Sequence, residues 1–253
     1  MNVVVLGTNS LTTWMVVNAL RKNYPDICVA IEKPISRVKL IQRRIARLGV
    51  AAVVGQLLFM LYISVISRMS AGRIRMMIQS ANLTAEQPEG VLIKRFDSVN
   101  STDCIDWLRA KQPMVVILNG TRIVSPALLE SCNAVFLNIH CGITPAYRGV
   151  HGGYWALACG DHDNVGVTIH VVDAGVDTGQ IVFQQSIQID IHDSFVTYPF
   201  KQYIAGIPLM QIAVSDAISG HLRTYCRNDL PSVIRYHPTL WKYLWTRTRH
   251  GVG

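Results

Sequence analysis

The chain has 253 residues, of which 50% are apolar and 16% charged, a composition that excludes a disordered or collagen-like protein and predicts one α/β-sized domain. Its six cysteines include no C-x-x-C pair, which argues against a zinc ribbon, a thioredoxin-type site and a disulfide scaffold, and no metal site is predicted. The first residues, MNVVVLGTNS, lack a basic stretch followed by an apolar run, so we expect no secretory signal and a cytoplasmic location.

The net charge of +8 comes from one segment of the chain. Residues 33–85 contain nine Lys or Arg and no Asp or Glu, whereas the rest of the chain has 15 basic and 16 acidic residues. Such a segment is typical of a solvated helix face, and it also fits contact with nucleic acid, an anionic membrane surface or a negatively charged ligand. Charge alone leaves these alternatives open.

The same segment contains 20 residues without a charge, 48–67, which is long enough to span a bilayer. Strand-like runs lie on both sides of it, and a single crossing would separate two strands from the rest of their sheet. We therefore predict a long helix buried in the protein, with its apolar stripe continuing back to Val38 and the basic residues on the other side. A peripheral membrane contact remains open.

Strand-like and helix-like segments alternate along the chain. Strands are predicted at 2–7, 27–32, 91–94, 114–118 and 135–138, with helices at 11–23 and 101–113 and a short helix within 149–160. Strands at 165–173 and 181–189 are expected to form an antiparallel pair, and a helical region from Ser194 to about Tyr225 is divided by Pro199 and Pro208. This alternation predicts an α/β fold with a mostly parallel sheet, in which ligands bind beyond the carboxyl ends of the strands.

The turn after the first strand, Gly7-Thr8-Asn9-Ser10, is not a G-x-G-x-x-G motif. We therefore infer no dinucleotide site there. Ser10 or Thr12 is expected to cap the following helix, and an anion-binding role at the N-terminus of this helix is the alternative.

Reactive side chains are concentrated at the end of one predicted strand. Asn138 and His140 are two residues apart, so their side chains point to the same side of the sheet, and Asp177 follows in a Gly-bounded loop from which it can reach them. An imidazole with an amide beside it and a carboxylate behind it can stabilise an oxyanion and manage a proton transfer, as acyl transfer without a covalent intermediate requires. The D-T-G context favours Asp177 over Asp173, and a nucleophilic Cys141 is disfavoured because free cysteine is commonly a small buried hydrophobe.

Three motifs follow one another in this region: Asn-x-His at 138–140, Pro-x-Tyr-Arg-Gly at 145–149, and G-V-T-I-H-x-V-D-x-G-x-D-T-G-x-I at 166–181. Together they resemble the folate-dependent formyltransferase family over about residues 110–190, although Cys-Gly-Ile-Thr at 141–144 replaces the family's frequent Ser-Leu-Leu. The resemblance implies a Rossmann-like, mostly parallel sheet of the formyltransferase type with a short C-terminal extension. It divides the chain into a catalytic domain, 1–190, and a helical, aromatic extension, 191–253.

The resemblance also implies roles for individual residues. Asn138, His140 and Asp177 would act on N10-formyltetrahydrofolate, the co-substrate: the acceptor amine attacks the formyl carbon, His140 with Asn138 stabilises the oxygen, and Asp177 keeps His140 charged or oriented and helps to take the amine proton. The donor would contact the backbone of two loops, and the expected residues are Asn119, Gly120, Arg122, Ile123, Val124, Val172 and Asp173. The expected acceptor-binding residues are Tyr147, Arg148, Gly149, His151, Tyr236 and Trp241. As lone histidines, His151, His162 and His170 favour a structural role.

The stretch 147–157 and the Tyr-His-Pro-Thr-Leu-Trp segment at 236–241 are most similar to bacterial enzymes that formylate an amino sugar carried on a nucleoside diphosphate. The expected acceptor is a nucleotide-linked 4-amino-4,6-dideoxy sugar of lipopolysaccharide O-antigen synthesis, with GDP-perosamine ahead of a dTDP-linked sugar. Alternatives are another amine, such as glycinamide ribonucleotide or an aminoacyl-tRNA, and a membrane-associated protein without enzymatic activity built around residues 33–75. We expect a homodimer, no nucleic-acid partner and at most a peripheral membrane contact.

Overall fold

The alternation of strands and helices predicted from the sequence is present in the computed structural model, which describes residues 3–253 apart from the side chains of Arg37 and Lys39. The strands within this range are β1 Val3–Gly7, β2 Cys28–Glu32, β3 Leu92–Phe96, β4 Val115–Asn119, β5 Val135–His140, β6 Arg148–Gly149, β7 Gly166–Val171, β8 Ile181–Ser186 and β9 Ile234–Arg235. The helices are α1 Leu11–Leu20, α2 Arg37–Leu48, α3 Val50–Met69, α4 Ala71–Ser80, α5 Thr102–Lys111, α6 Pro126–Leu129, α7 Gly152–Ala158, α8 Tyr198–Ser219 and α9 Leu240–His250. The first predicted strand includes Asn2, which lies outside the described residues.

Seven strands form one sheet in the order β3-β2-β1-β4-β5-β7-β8. The first five are parallel, while β7 runs antiparallel to both β5 and β8, so the predicted mostly parallel sheet and its antiparallel addition are confirmed. β1 and β4 are buried along their whole length, as expected for apolar strands covered on both faces. The strand order reverses between β1 and β4, the place where ligands of such sheets bind at the carboxyl edge.

Helix α8 lies on the sheet as one continuous helix, so the predicted division at its prolines is wrong. Pro199 lies in the first turn, where its missing N–H costs no intrahelical hydrogen bond, and Pro208 is accommodated inside the helix. Tyr203, Ile207 and Met210 are buried in the same core as β1, β4 and β5. The boundary predicted at residue 190 therefore separates two segments that share one core.

The long apolar segment is helical but not buried, so the prediction of a buried helix is wrong. Only Val53, Gly55, Gln56 and Phe59 of α3 are buried. Among the described residues, α3 is the one helix long and apolar enough to cross a membrane, and 22% of its apolar stretch is buried. Gly49, at a φ of +81°, separates α2 from α3, so the apolar stripe does not continue through one helix.

Candidate active site

The structure brings the three predicted catalytic residues together at the carboxyl edge of the sheet. Asn138 and His140 lie on β5, and Asp177 lies in the loop between β7 and β8. His140 Nδ1 is 3.3 Å from Asp177 Oδ2, and Asn138 Nδ2 donates to Asp177 Oδ1 over 3.4 Å. An amide, an imidazole and a carboxylate thus form one cluster.

Asp177 is held as a carboxylate. Its Oδ2 accepts a hydrogen bond of 2.8 Å from the backbone N–H of Gly149. Burial on its own raises the pKa of Asp177, but the positive charge of His140 and the hydrogen bonds from His170 and from Gly149 outweigh it and lower the pKa to about 2. Asp177 has a φ of +50°, a left-handed conformation that aspartate tolerates better than most residues. Asp177 is therefore ionised at neutral pH.

His140 is buried between two hydrogen-bond acceptors. Its Nε2 is 2.7 Å from the carbonyl oxygen of Tyr147, and its Nδ1 faces Asp177. Each ring nitrogen thus faces a hydrogen-bond acceptor, one a carbonyl oxygen and the other a carboxylate oxygen. The ring is 6% exposed, so its orientation is fixed by these partners.

His170 also belongs to this cluster, although the sequence favoured a structural role for it. Its Nε2 lies 3.0 Å from Asn138 Nδ2 and 3.5 Å from Asp177 Oδ1, while its Nδ1 lies 2.9 Å from the carbonyl oxygen of Val171. The antiparallel register places His170 directly opposite Asn138. His170 can be identified only from the pairing of β7 with β5. The sequence pattern of each strand does not reveal that pairing.

Cys141 follows His140 and was disfavoured as a nucleophile. Burial, with a smaller contribution from the charge of Asp177, raises the pKa of the Cys141 thiol to about 12. Because the thiolate is the reactive form, this cysteine is inert at neutral pH.

The loop after β4 contains the first group of predicted donor-binding residues. The Asn119 side chain is fully buried: its Nδ2 donates to Thr13 Oγ1 over 2.8 Å, and its Oδ1 accepts from Tyr203 Oη over 2.6 Å. These bonds tie β4 to α1 and α8. The side chain of Asn119 is thus structural, and the exposed backbone at Gly120 is available to a ligand.

The Glu32 carboxylate holds the next part of this loop in place through two contacts with Arg122. The backbone N–H of Arg122 donates to Glu32 Oε1 over 2.7 Å, and Arg122 Nε lies 2.6 Å from Glu32 Oε2. Val124 is buried in the core, whereas Ile123 is exposed. The second predicted loop is fixed in a similar way, since Asp173 Oδ1 accepts from Gly175 N and from Thr178 Oγ1. Val172 packs against the core on the same side of the sheet.

A cavity of about 370 Å³ adjoins Asp177. Arg148 and Arg227 both line it, and Arg148 Nη1 donates to Val176 O over 3.1 Å. Arg148 Nε is buried and has no hydrogen-bond partner among the described residues. Of the predicted acceptor-binding residues, Arg148 lines this cavity, and Gly149 contacts Asp177 through its backbone N–H. Sequence reasoning missed Arg227, which reaches the cavity because the segment after α8 returns to the site.

The other predicted acceptor-binding residues lie elsewhere. Tyr147 is buried with its Oη donating to Asp161 Oδ2 over 2.7 Å, so its carbonyl oxygen, and not its ring, serves the cluster. His151 Nε2 is 2.9 Å from His237 Nδ1. Tyr236 lines a second cavity with arginines of α2, and Trp241 packs against α3. The structure does not bring Tyr236 or Trp241 to the cavity beside Asp177.

The contact between His140 Nε2 and the carbonyl oxygen of Tyr147 requires a glycine at position 142. A β-carbon at this position would lie 2.5 Å from Tyr147 O and 2.7 Å from His140 Nε2. We expect Gly142→Ala to lower the free energy of unfolding by about 1–3 kcal/mol, because the backbone at Tyr147 must shift. Urea unfolding measures this loss.

The matched control is Gly72→Ala in α4, where a β-carbon would meet nothing within 4 Å. Alanine at this helical position is expected to raise the free energy of unfolding by up to about 1 kcal/mol. Equal free energies of unfolding for the two variants would contradict the close packing described around Gly142.

Residues 59–202 match the family model described as formyl transferase. The phosphoribosylglycinamide formyltransferase of Bacillus subtilis is 35% identical over 94 residues, which are 37% of this chain and 48% of that protein. The chain spans less than half the length of the curated relatives that it matches.

The fold is similar to that of two solved N-formyltransferases. A sugar N-formyltransferase from a Shewanella species has a TM-score of 0.58 at 15% identity, covering 93% of this chain and 76% of that one. The N-formyltransferase from Helicobacter canadensis, solved in complex with folinic acid and dTDP-3-aminofucose, has a TM-score of 0.57 at 17% identity, covering 92% and 70%. The family match extends over more than half of the chain, and this chain therefore belongs to the formyl transferase family.

Proposed function

We propose that this chain transfers a formyl group from N10-formyltetrahydrofolate to the amine of a nucleotide-linked amino sugar. The observation that carries the proposal is the convergence of Asn138, His140 and Asp177 at the carboxyl edge of the sheet. When bound, the folate supplies a formyl carbon that is activated towards attack by an amine. The residues of the chain would bind the two substrates, stabilise the oxyanion and accept the amine proton.

Asn138 and His140 supply the hydrogen-bond donors. The N–H groups of the Asn138 amide and the His140 ring lie at one edge of the sheet and are bonded to Asp177 and to the Tyr147 carbonyl oxygen. In the proposed reaction the formyl oxygen takes the place of one of these acceptors as negative charge develops on it. Removing one such donor typically costs on the order of 10²- to 10³-fold in rate. These two side chains therefore lower the barrier of the chemical step.

Asp177 serves the proton transfer. As the new carbon–nitrogen bond forms, the amine must lose a proton, and an ionised carboxylate can accept it directly or through water. The bond between the formyl carbon and N10 of the folate then breaks, and N10 takes up a proton as tetrahydrofolate leaves. Because the pKa of Asp177 is about 2, this group is ionised across the neutral range. The same carboxylate orients the His140 ring, whose Nδ1 lies 3.3 Å from Asp177 Oδ2.

The two loops beside the cluster fit a folate donor. The side chains of Asn119, Arg122 and Asp173 are bonded within the protein, which fixes the loops, and Gly120 is exposed, so its backbone is open to hydrogen bonds with a pterin. The structural relative from Helicobacter canadensis, which holds folinic acid, supports the same donor class.

The cavity beside Asp177 supports an anionic acceptor. Arg148 and Arg227 line it, and the unpartnered Arg148 Nε can donate to a phosphate oxygen. The same relative holds a dTDP-linked amino sugar, which supports a nucleotide-linked acceptor. Within this class GDP-perosamine, in O-antigen synthesis, remains our first acceptor, and a dTDP-linked amino sugar is the alternative that this relative favours. The homodimer and the cytoplasmic location stay predictions.

A second candidate acceptor is glycinamide ribonucleotide. The 35% identity to a phosphoribosylglycinamide formyltransferase favours it. This substrate also joins a primary amine to a phosphate, so the arginines of the cavity suit both candidates.

Thermal unfolding with a panel of ligands separates the two candidates. We expect GDP or dTDP to raise the thermal midpoint, since a ligand that binds only the native state at one hundred times its Kd stabilises by about 2.7 kcal/mol. Arg148→Gln should reduce this rise, whereas Arg95→Gln, an exposed position on β3, should not. A rise with glycinamide ribonucleotide and none with any nucleoside diphosphate would favour the second candidate, and formyl transfer to the matching amine then decides the acceptor.

A further inference from the structure

We propose that the exposed side of α3, together with the exposed tryptophans of α9, docks on the surface of an anionic membrane. This docking face contains Leu57, Leu61 and Val65 of α3 and Trp241 and Trp245 of α9. All five side chains are exposed. None of them belongs to the candidate active site.

The inner side of α3 fixes the helix to the body of the protein. Phe59 is 1% exposed, and its ring centroid lies 4.9 Å from that of Phe195 and 5.2 Å from that of Tyr243. Gln56 Nε2 also donates to the carbonyl oxygen of His237 over 2.9 Å. Because the helix is attached along one side, it presents its outer side as a stripe that can lie flat on a bilayer, and it does not span one.

The outer side of α3 is apolar. Leu57, Leu61 and Val65 recur at every fourth residue, so they share one stripe, and Leu61 is 66% exposed. Val54 continues the stripe towards the start of the helix and is also exposed. A contiguous exposed apolar surface of this kind marks a protein or membrane contact.

Helix α9 places exposed aromatic residues beside α3. The ring of Trp241 lies against Gly55 of α3, where a β-carbon would overlap it, so the two helices are in direct contact. Trp245 is 52% exposed, and Lys242 Nζ lies 4.4 Å from its ring centroid. Tryptophan beside a basic residue is the combination found at the headgroup level of membranes.

Charge identifies the partner as anionic. Residues 33–85 and 231–253, the segments that contain the docking face, hold 13 of the 24 Lys and Arg and none of the 16 Asp and Glu. Arg43, Arg44 and Arg47 line a cavity of about 190 Å³ beside the start of α3, where a lipid phosphate can bind. The basic residues thus lie in the same two segments of the chain as the apolar stripe and the tryptophans.

A second copy of the chain fits this face poorly. A symmetric dimer places the same patch of both subunits in contact, so two strongly basic surfaces would face each other. Like charges across an interface oppose association. An anionic bilayer instead satisfies both the apolar stripe and its basic surroundings.

Vesicle sedimentation tests the proposal with the purified full chain. We expect it to sediment with vesicles of three parts phosphatidylcholine to one part phosphatidylglycerol, less with pure phosphatidylcholine, and less at high salt. The triple variant Leu57→Gln, Leu61→Gln, Val65→Gln should bind at least about tenfold more weakly, because it removes apolar groups that insert below the headgroups. The matched control changes three exposed apolar residues elsewhere, Leu92→Gln, Ile191→Gln and Ile212→Gln, and should bind like the unchanged chain.

Three results would overturn the proposal. They are failure to sediment with the anionic vesicles, equal binding by the two triple variants, and a dimer in analytical ultracentrifugation that the Leu57, Leu61 and Val65 changes convert to a monomer. The last result would assign the face to a second copy. The assay contains neither formyl donor nor acceptor, so its outcome is separate from that of formyl transfer.

Discussion

His140→Ala is expected to lower kcat for formyl transfer by at least about two orders of magnitude while the protein stays folded. In the proposed mechanism the imidazole, whose Nδ1 faces Asp177, donates to the developing oxyanion. His140→Asn keeps one N–H donor in the same place and should retain more activity than alanine. Initial rates with saturating donor and acceptor measure the effect.

An exposed histidine provides the control. His162→Ala removes an imidazole from the 3-10 turn at His162–Asn164, away from the cluster, and should leave kcat unchanged. Circular dichroism and a urea unfolding curve confirm that each variant is folded. Near-normal turnover by folded His140→Ala would remove this residue from the mechanism.

Asp177→Asn should have an effect on kcat of similar size, again at least about two orders of magnitude. The amide keeps an oxygen that can accept from the backbone N–H of Gly149, so the loop retains its support. It removes the negative charge that faces His140 and that, in the proposed mechanism, accepts the amine proton. Asp163→Asn, at an exposed position, is the matched control. If kcat survived the loss of this carboxylate, the proposed proton transfer would be wrong.

The same variant should change how stability depends on pH. The folded-state pKa of Asp177, about 2, lies below its ordinary value of 3.8, so the native state binds fewer protons than the unfolded state in this range. The stabilisation is complete above about pH 4, is lost as pH falls towards 2, and amounts to about 2 kcal/mol. Asp177→Asn should be less stable than the parent at neutral pH and about equal to it at pH 2. Parallel urea curves that keep the same gap at both pH values would contradict the assignment.

The sheet could be predicted because its strands are buried on both faces. β1 and β4 are short, continuous apolar runs bounded by polar turns, a pattern that helices of the chain do not share. The side chains of Asn138 and His140 could be assigned to one side of β5 from their spacing alone. The arrival of Asp177 beside them followed from the family's turn signature.

The sequence did not predict contacts that depend on the register between two strands or on the path of the chain after a helix. His170 joins the cluster because β7 pairs with β5 in one particular register, and the carbonyl oxygen of Tyr147 reaches His140 through the loop after β5. Arg227 lines the cavity because the chain returns after α8. The exposure of α3 was missed for a related reason: composition reports how apolar a helix is, whereas burial depends on how much surface its neighbours cover.

A single-turnover experiment with a carbon-13 formyl donor tests the central claim most directly. The purified chain is mixed with labelled N10-formyltetrahydrofolate and each candidate amine, and the labelled product is identified by NMR. We predict a labelled formamide on the amino sugar with the unchanged chain, and formation of this product at least about one hundredfold slower with His140→Ala. No labelled formamide with any nucleotide-linked amino sugar or with glycinamide ribonucleotide, or equal rates for the two proteins, would contradict it.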